Sequence, residues 1–106
     1  DLAFTARTLR DAGADAASPF HGRMGSRTLV MGHSMGGGSS LLAAAGDPSL
    51  TAVAAFAAAE TNPSAIAAAA ALDRPVLLFA GTLDCVTPPS AHQDPMYRAL
   101  AGWRAR

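Results

Sequence analysis

Ser34 stands in the stretch LVMGHSMGG, residues 29–37, with Gly32 two positions before it, Gly36 two positions after, and Gly37 next in line. A hydroxyl framed by glycines at the end of an apolar run has the residue types of an acyl-transfer nucleophile. If a strand ends at Gly32 and a helix begins just past Ser34, the serine occupies a very tight turn. Such a turn strains the backbone at the nucleophile and brings strand and helix close together. Glycines at 32 and 36 would remove side chains that would otherwise clash. The free amides at the helix start would favour an anionic tetrahedral intermediate, with the Met35 N–H as one oxyanion donor.

A serine of this kind needs a base, and a carboxylate to orient that base. The chain offers one glutamate and seven aspartates. Asp84, in GTLDCVTPP, is the leading acid. It lies just beyond the C-terminal end of an apolar run, where reactive groups of open parallel sheets gather. Glu60 also follows such a run and is the alternative acid. Of the three histidines, His33 adjoins the serine and must point away from it, as a structural or pocket-lining residue. His21 falls in a polar loop and reads as exposed. His92 alone follows Asp84, which keeps the order serine, acid, histidine, so it is the alternative base.

Other chemistries fare worse. A Walker phosphate loop needs a lysine, and all eight cations are arginines. A dinucleotide fingerprint needs a third glycine where Leu41 stands. Cys85 and His92 are too few ligands for a metal site, so no metal and no cofactor are expected. As the single cysteine, Cys85 reads as a small packing residue or as half of a disulfide with a partner outside these residues.

The elements that must position these groups follow from periodicity. Residues 1–12 form an amphipathic helix stopped by Gly13, and residues 13–26 are a polar loop. Residues 27–32 read as a buried strand, and 34–45 as a helix closed by Gly46 and Asp47-Pro48. A second strand falls within residues 50–58. Asn62-Pro63-Ser64 opens an alanine-rich helix, with proline at its first position. Residues 75–80 give the clearest strand, 81–87 a loop, and Pro88-Pro89-Ser90 the start of a last helix reaching about residue 101. Strands alternating with helices imply right-handed crossovers and a parallel sheet, the α/β class, in one domain over residues 1–106.

Bulk composition agrees. The chain has 106 residues, is 50% hydrophobic and 15% charged, and carries a formal net charge of zero. That balance suits a globular unit and lacks the basic surplus of a nucleic-acid binder. No apolar run reaches the roughly 18–20 residues of a membrane span. No signal-peptide pattern is present, and the first residue is Asp1, so neither a secreted nor a cytoplasmic location is assigned, and no oligomeric state follows.

The stretches VMGHSMGGG and GTLDCVTPPSAHQDPMY resemble the nucleophile turn and acid loop of α/β-hydrolases. The likeness is to the branch of dienelactone-hydrolase-like esterases and cutinase-like polyester hydrolases, over residues 25–100. It implies Ser34 as nucleophile, the Met35 N–H as oxyanion donor, Asp84 as triad acid, and a small-molecule or polymeric ester as substrate. It also implies a base histidine after one further strand, beyond Arg106, and earlier strands before Asp1. On that basis the chain is expected to be an internal piece, with about three parallel strands, inactive alone and aggregation-prone. Polyester-degrading members carry a tryptophan just after the strand ending near Ala58, where this chain has Ala59, Glu60 and Thr61. Lactone, thioester or amide hydrolysis, and a non-catalytic binding role, are the alternatives to ester cleavage.

Overall fold

The computed structural model describes residues 1–102 and, as backbone only, residues 104–105. Helix α1 (Leu2–Ala14) leads to strand β1 (Leu29–His33) and helix α2 (Met35–Gly46). Strand β2 (Ala52–Phe56), helix α3 (Ala65–Ala70), strand β3 (Val76–Phe79), helix α4 (Gln93–Ala99) and strand β4 (Arg104–Ala105) follow. The sheet order is β1-β2-β3-β4 with every neighbouring pair parallel. The α/β expectation holds, and a fourth, two-residue strand joins the expected three.

Alternation along β1 sorts its side chains: Val30 is buried, while Leu29, Met31 and His33 face outward. The buried face of the sheet, with Val30, Val53, Ala55, Val76 and Leu78, meets Leu41 of α2 in one apolar cluster. Burying that face of small aliphatic side chains is the main apolar contribution to the fold. Arg7 and Arg10 tie α1 to the turn after α2: Arg7 pairs with Asp47 at 2.9 Å, and Arg10 donates to the Ser49 carbonyl at 3.3 Å.

Several boundaries move for local reasons. Helix α1 runs through Gly13 and ends at Ala14, so Gly13 is not its stop. A Cβ at Gly13 would lie 2.7 Å from the Met24 side chain, so this glycine lets the following loop fold back on the helix. Ser64, not Pro63, begins α3, because its hydroxyl accepts from the Ala67 N–H at 3.1 Å as an N-cap. Helix α4 starts at Gln93 rather than at residue 88. The Pro88 carbonyl accepts the amides of Ala91 and His92, and that of Pro89 accepts Asp94, which makes this stretch a turn.

Candidate active site

Ser34 sits between the last residue of β1 and the first of α2, at φ 55° and ψ −120°. A side chain other than glycine adopts positive φ only at a cost, and the surroundings must hold it there. They do so through both backbone groups. The Ser34 N–H donates to the Phe56 carbonyl at 2.9 Å. Its carbonyl accepts the amides of Gly37 (3.0 Å), Gly38 (3.2 Å) and Ala59 (3.0 Å). The hydroxyl makes no capping bond to the helix, although Ser34 is the N-cap residue. Met35 is the first residue of α2, so its N–H is one of the amides a helix leaves without an internal acceptor.

The surrounding glycines differ in what they do. A Cβ on Gly32 would lie 2.2 Å from the Gly36 carbonyl oxygen, so only glycine lets the strand pass under the helix start. On Gly37 it would lie 2.9 Å from Ala58, and on Gly38 2.4 Å from the Ala59 carbonyl. On Gly36 it would meet nothing within 4 Å. The expectation that Gly36 avoids a clash of its own is therefore corrected: the steric demand falls on Gly32, and Gly36 supplies the carbonyl it would hit.

Asp84 lies in the loop after β3, at the same end of the parallel sheet as Ser34. Its Oδ1 accepts the amides of Val86 and Thr87, each at 2.9 Å, and its Oδ2 lies 2.8 Å from the Thr87 hydroxyl. The Thr87 amide, the Thr87 hydroxyl and then the Val86 amide hold this carboxyl below its ordinary value, and the His33 imidazole adds a smaller pull. Asp84 is thus anionic and oriented, beside a cavity of about 600 Å³ that Asp84, Thr82, Pro88, Pro89, Ser90 and Asp94 help to line.

Two short links join the neighbourhoods of Asp84 and Ser34. The Thr87 hydroxyl is also 3.2 Å from the Ala57 carbonyl, and the Ala57 amide donates to Phe79 at 2.8 Å. Ala57 itself takes φ 45°. Two residues on, the Ala59 amide reaches Ser34. The segment 57–60, which the sequence marks as a strand end followed by the alternative acid Glu60, therefore bridges the two positions.

The alternative residues are engaged elsewhere. His92 Nδ1 accepts the Glu60 N–H at 2.9 Å, so in the neutral ring the proton resides on Nε2. A triad base needs the opposite tautomer, with Nδ1–H given to the acid and Nε2 free to take the serine proton. Glu60 Oε2 accepts the Ile66 amide at 2.9 Å and so caps the start of α3. His33 and His21 are exposed. Cys85 is also exposed, with a free thiol, so the packing role expected for it is corrected. Among the described residues no cluster of three or more metal-ligating side chains occurs, and no helix is long and apolar enough to cross a membrane.

Comparison with known proteins gives the family. The model of the PET hydrolase-like family matches residues 4–104. Cutinase est1 of Thermobifida alba is 36% identical over 87 residues, a stretch that covers 81% of this chain and 28% of that cutinase. The chain thus spans less than a third of the length of the relative it matches. A match over nearly every residue, joined to a parallel α/β sheet, makes this chain a member of the PET hydrolase-like family, in the cutinase-like branch of the α/β-hydrolases.

Proposed function

We propose that these residues carry the nucleophile and acid of a serine hydrolase that cleaves carboxylic esters through an acyl-serine intermediate. The observation that carries this reading is the positive φ of Ser34 at a strand-to-helix junction, where only Gly32 fits behind it. Ser34 Oγ attacks the ester carbonyl, and the Met35 N–H receives part of the negative charge on the carbonyl oxygen. A histidine outside these residues takes the Ser34 proton and returns it to the leaving alcohol. Asp84 holds that imidazole in the working tautomer and stabilises its cationic form.

The spacing supports this division of labour. Strands β1 and β3 are two strand spacings apart, about 10 Å. Ser34 and Asp84 both follow the C-terminal ends of those strands, at one end of the sheet. The depressed Asp84 pKa keeps the acid charged at neutral pH. The substrate class is an ester with an accessible carbonyl, and the family description makes polyester a candidate. Position 60 is a glutamate with its carboxylate turned to the α3 amide, so it supplies no aromatic surface beside the serine for a polyester ring.

The test uses the full-length protein on matched activated esters, amides, lactones and an aromatic polyester film. Ester turnover that falls about 10⁴-fold or more in Ser34→Ala is the expected result. Ester turnover unchanged by that substitution contradicts the assignment.

A further inference from the structure

The segment 57–60 reaches Ser34 through one bond, Ala59 N–H to the Ser34 carbonyl at 3.0 Å. It is held from the other side by three contacts from the loop and helix that follow β3, on Ala57, Ala58 and Glu60. Thr87 Oγ1 lies 3.2 Å from the Ala57 carbonyl, Gln93 Nε2 donates to the Ala58 carbonyl at 2.7 Å, and the Glu60 amide donates to His92 Nδ1 at 2.9 Å. Of these three, only the His92 contact demands one protonation state and one tautomer of the side chain, because a backbone N–H can only donate.

We propose that His92 is a positioning residue for Ser34: its neutral imidazole anchors the far end of the 57–60 strap, and the strap fixes the strained Ser34 backbone. The inference rests on the reading of Ser34 as the nucleophile. The physical argument is one of tension. Ser34 stays at φ 55° because its surroundings over-determine it. Ala57 enters the strap at φ 45°, a second non-glycine residue at positive φ beside Ser34. A strap with strain at its entrance and one amide on Ser34 depends on the ties along it, and at its Glu60 end the backbone is tied by His92 while the carboxylate is tied to the Ile66 amide. Losing the His92 acceptor loosens the strap, and a misplacement of about 1 Å at Ser34 Oγ is enough to cost about 100-fold in rate. Neither His92 nor residues 57–60 line the cavity beside Asp84, so the loss is expected in turnover rather than in affinity.

The experiment compares His92→Leu with His92→Asn in the full-length protein. Asparagine Oδ1 occupies the position of the imidazole Nδ1 and accepts the same amide, whereas leucine keeps the volume and removes the acceptor. His92→Leu is expected to lower kcat about 10- to 100-fold with KM within about twofold of wild type. His92→Asn is expected to recover kcat to within about threefold. Amide hydrogen exchange at Glu60 should accelerate at least about tenfold in His92→Leu and stay near wild type in His92→Asn. His92→Ala, which also lacks the acceptor, replaces the leucine variant if that one fails to fold. Equal kcat in wild type and His92→Leu, or equal impairment in the leucine and asparagine variants, overturns the His92 inference while leaving Ser34 as nucleophile. A wild type with no Ser34-dependent turnover overturns the hydrolase reading itself and, with it, the catalytic consequence drawn for His92.

Discussion

At the scale of single residues, Gly32 and Gly36 look equivalent in the motif and are not. A methyl at Gly32 meets a backbone carbonyl at 2.2 Å, which cannot retreat without moving the helix start. Gly32→Ala is therefore expected to destabilise the fold by about 3 kcal/mol or more, read as a shift in the denaturant midpoint. Gly36→Ala meets open space inside a helix. It should leave stability unchanged or raise it by about 0.5 kcal/mol, from helix propensity. Asp84 and Asp47 give a prediction in pH. Both carboxyls are held below the ordinary aspartate value of 3.8, Asp84 chiefly by Thr87 and Asp47 chiefly by Ser49. A depressed folded-state pKa means a stabilising contribution that is complete above the unfolded value and is lost as pH falls through the folded one. The stability gap between wild type and Asp47→Asn should thus be full at pH 5 and shrink as the pH is lowered below 3.8. A gap that grows with acidification would reverse the sign and contradict the assignment.

At the scale of elements, the sequence carries those whose signal is local. The apolar run at 75–80 and the glycine-flanked serine place β3 and the β1–α2 junction within a residue or two, since strand composition and turn chemistry are written into neighbouring residues. The start of α4 is less legible. Pro88-Pro89-Ser90 has the chemistry of a helix start, yet the carbonyls of Pro88 and Pro89 close a turn first and the helix opens at Gln93. The strap 57–60 could not be read at all, because its meaning lies in partners some thirty residues away. Gln93 shows why. A glutamine at a helix start suggests a solvated side chain, but this one is fully buried and its amide satisfies the Ala58 carbonyl. Its Oε1 has no hydrogen-bond partner among the described residues, so the side chain is held by one strong bond rather than by full satisfaction. Gln93→Leu strands the Ala58 carbonyl and should cost about 1–3 kcal/mol in urea unfolding, despite leucine being the more apolar residue.

At the scale of the whole molecule, among the described residues, one face of the sheet is covered by helices and the other is open. The registers Met31–Ala54–Leu77 and His33–Phe56–Phe79 place Met31 and the neighbouring Phe56 and Phe79 on that open face. Met31 is 56% exposed, Leu29 51%, and Phe79, stacked on Phe56 with ring centroids 4.5 Å apart, 45%. Parallel sheets are almost always covered on both faces. The accessible surface is 6067 Å², where a self-contained globular chain of 10.7 kDa presents about 5500 Å². β1, at the end of the sheet order, adds an unpaired strand edge. We expect the 106 residues expressed alone to self-associate, seen as a broad, concentration-dependent species in light scattering. A monomer with a sharp two-state melt would show that the open face is tolerated.

The central claim is that Ser34 is a nucleophile, and a covalent probe reads it most directly. The full-length protein is treated with a fluorophosphonate, digested, and the peptide containing Ser34 weighed. The account predicts a stoichiometric phosphonyl adduct on Ser34 that is abolished in Ser34→Ala and strongly slowed in Asp84→Asn. An unmodified Ser34 peptide, under conditions in which a known serine esterase is fully labelled, would contradict it.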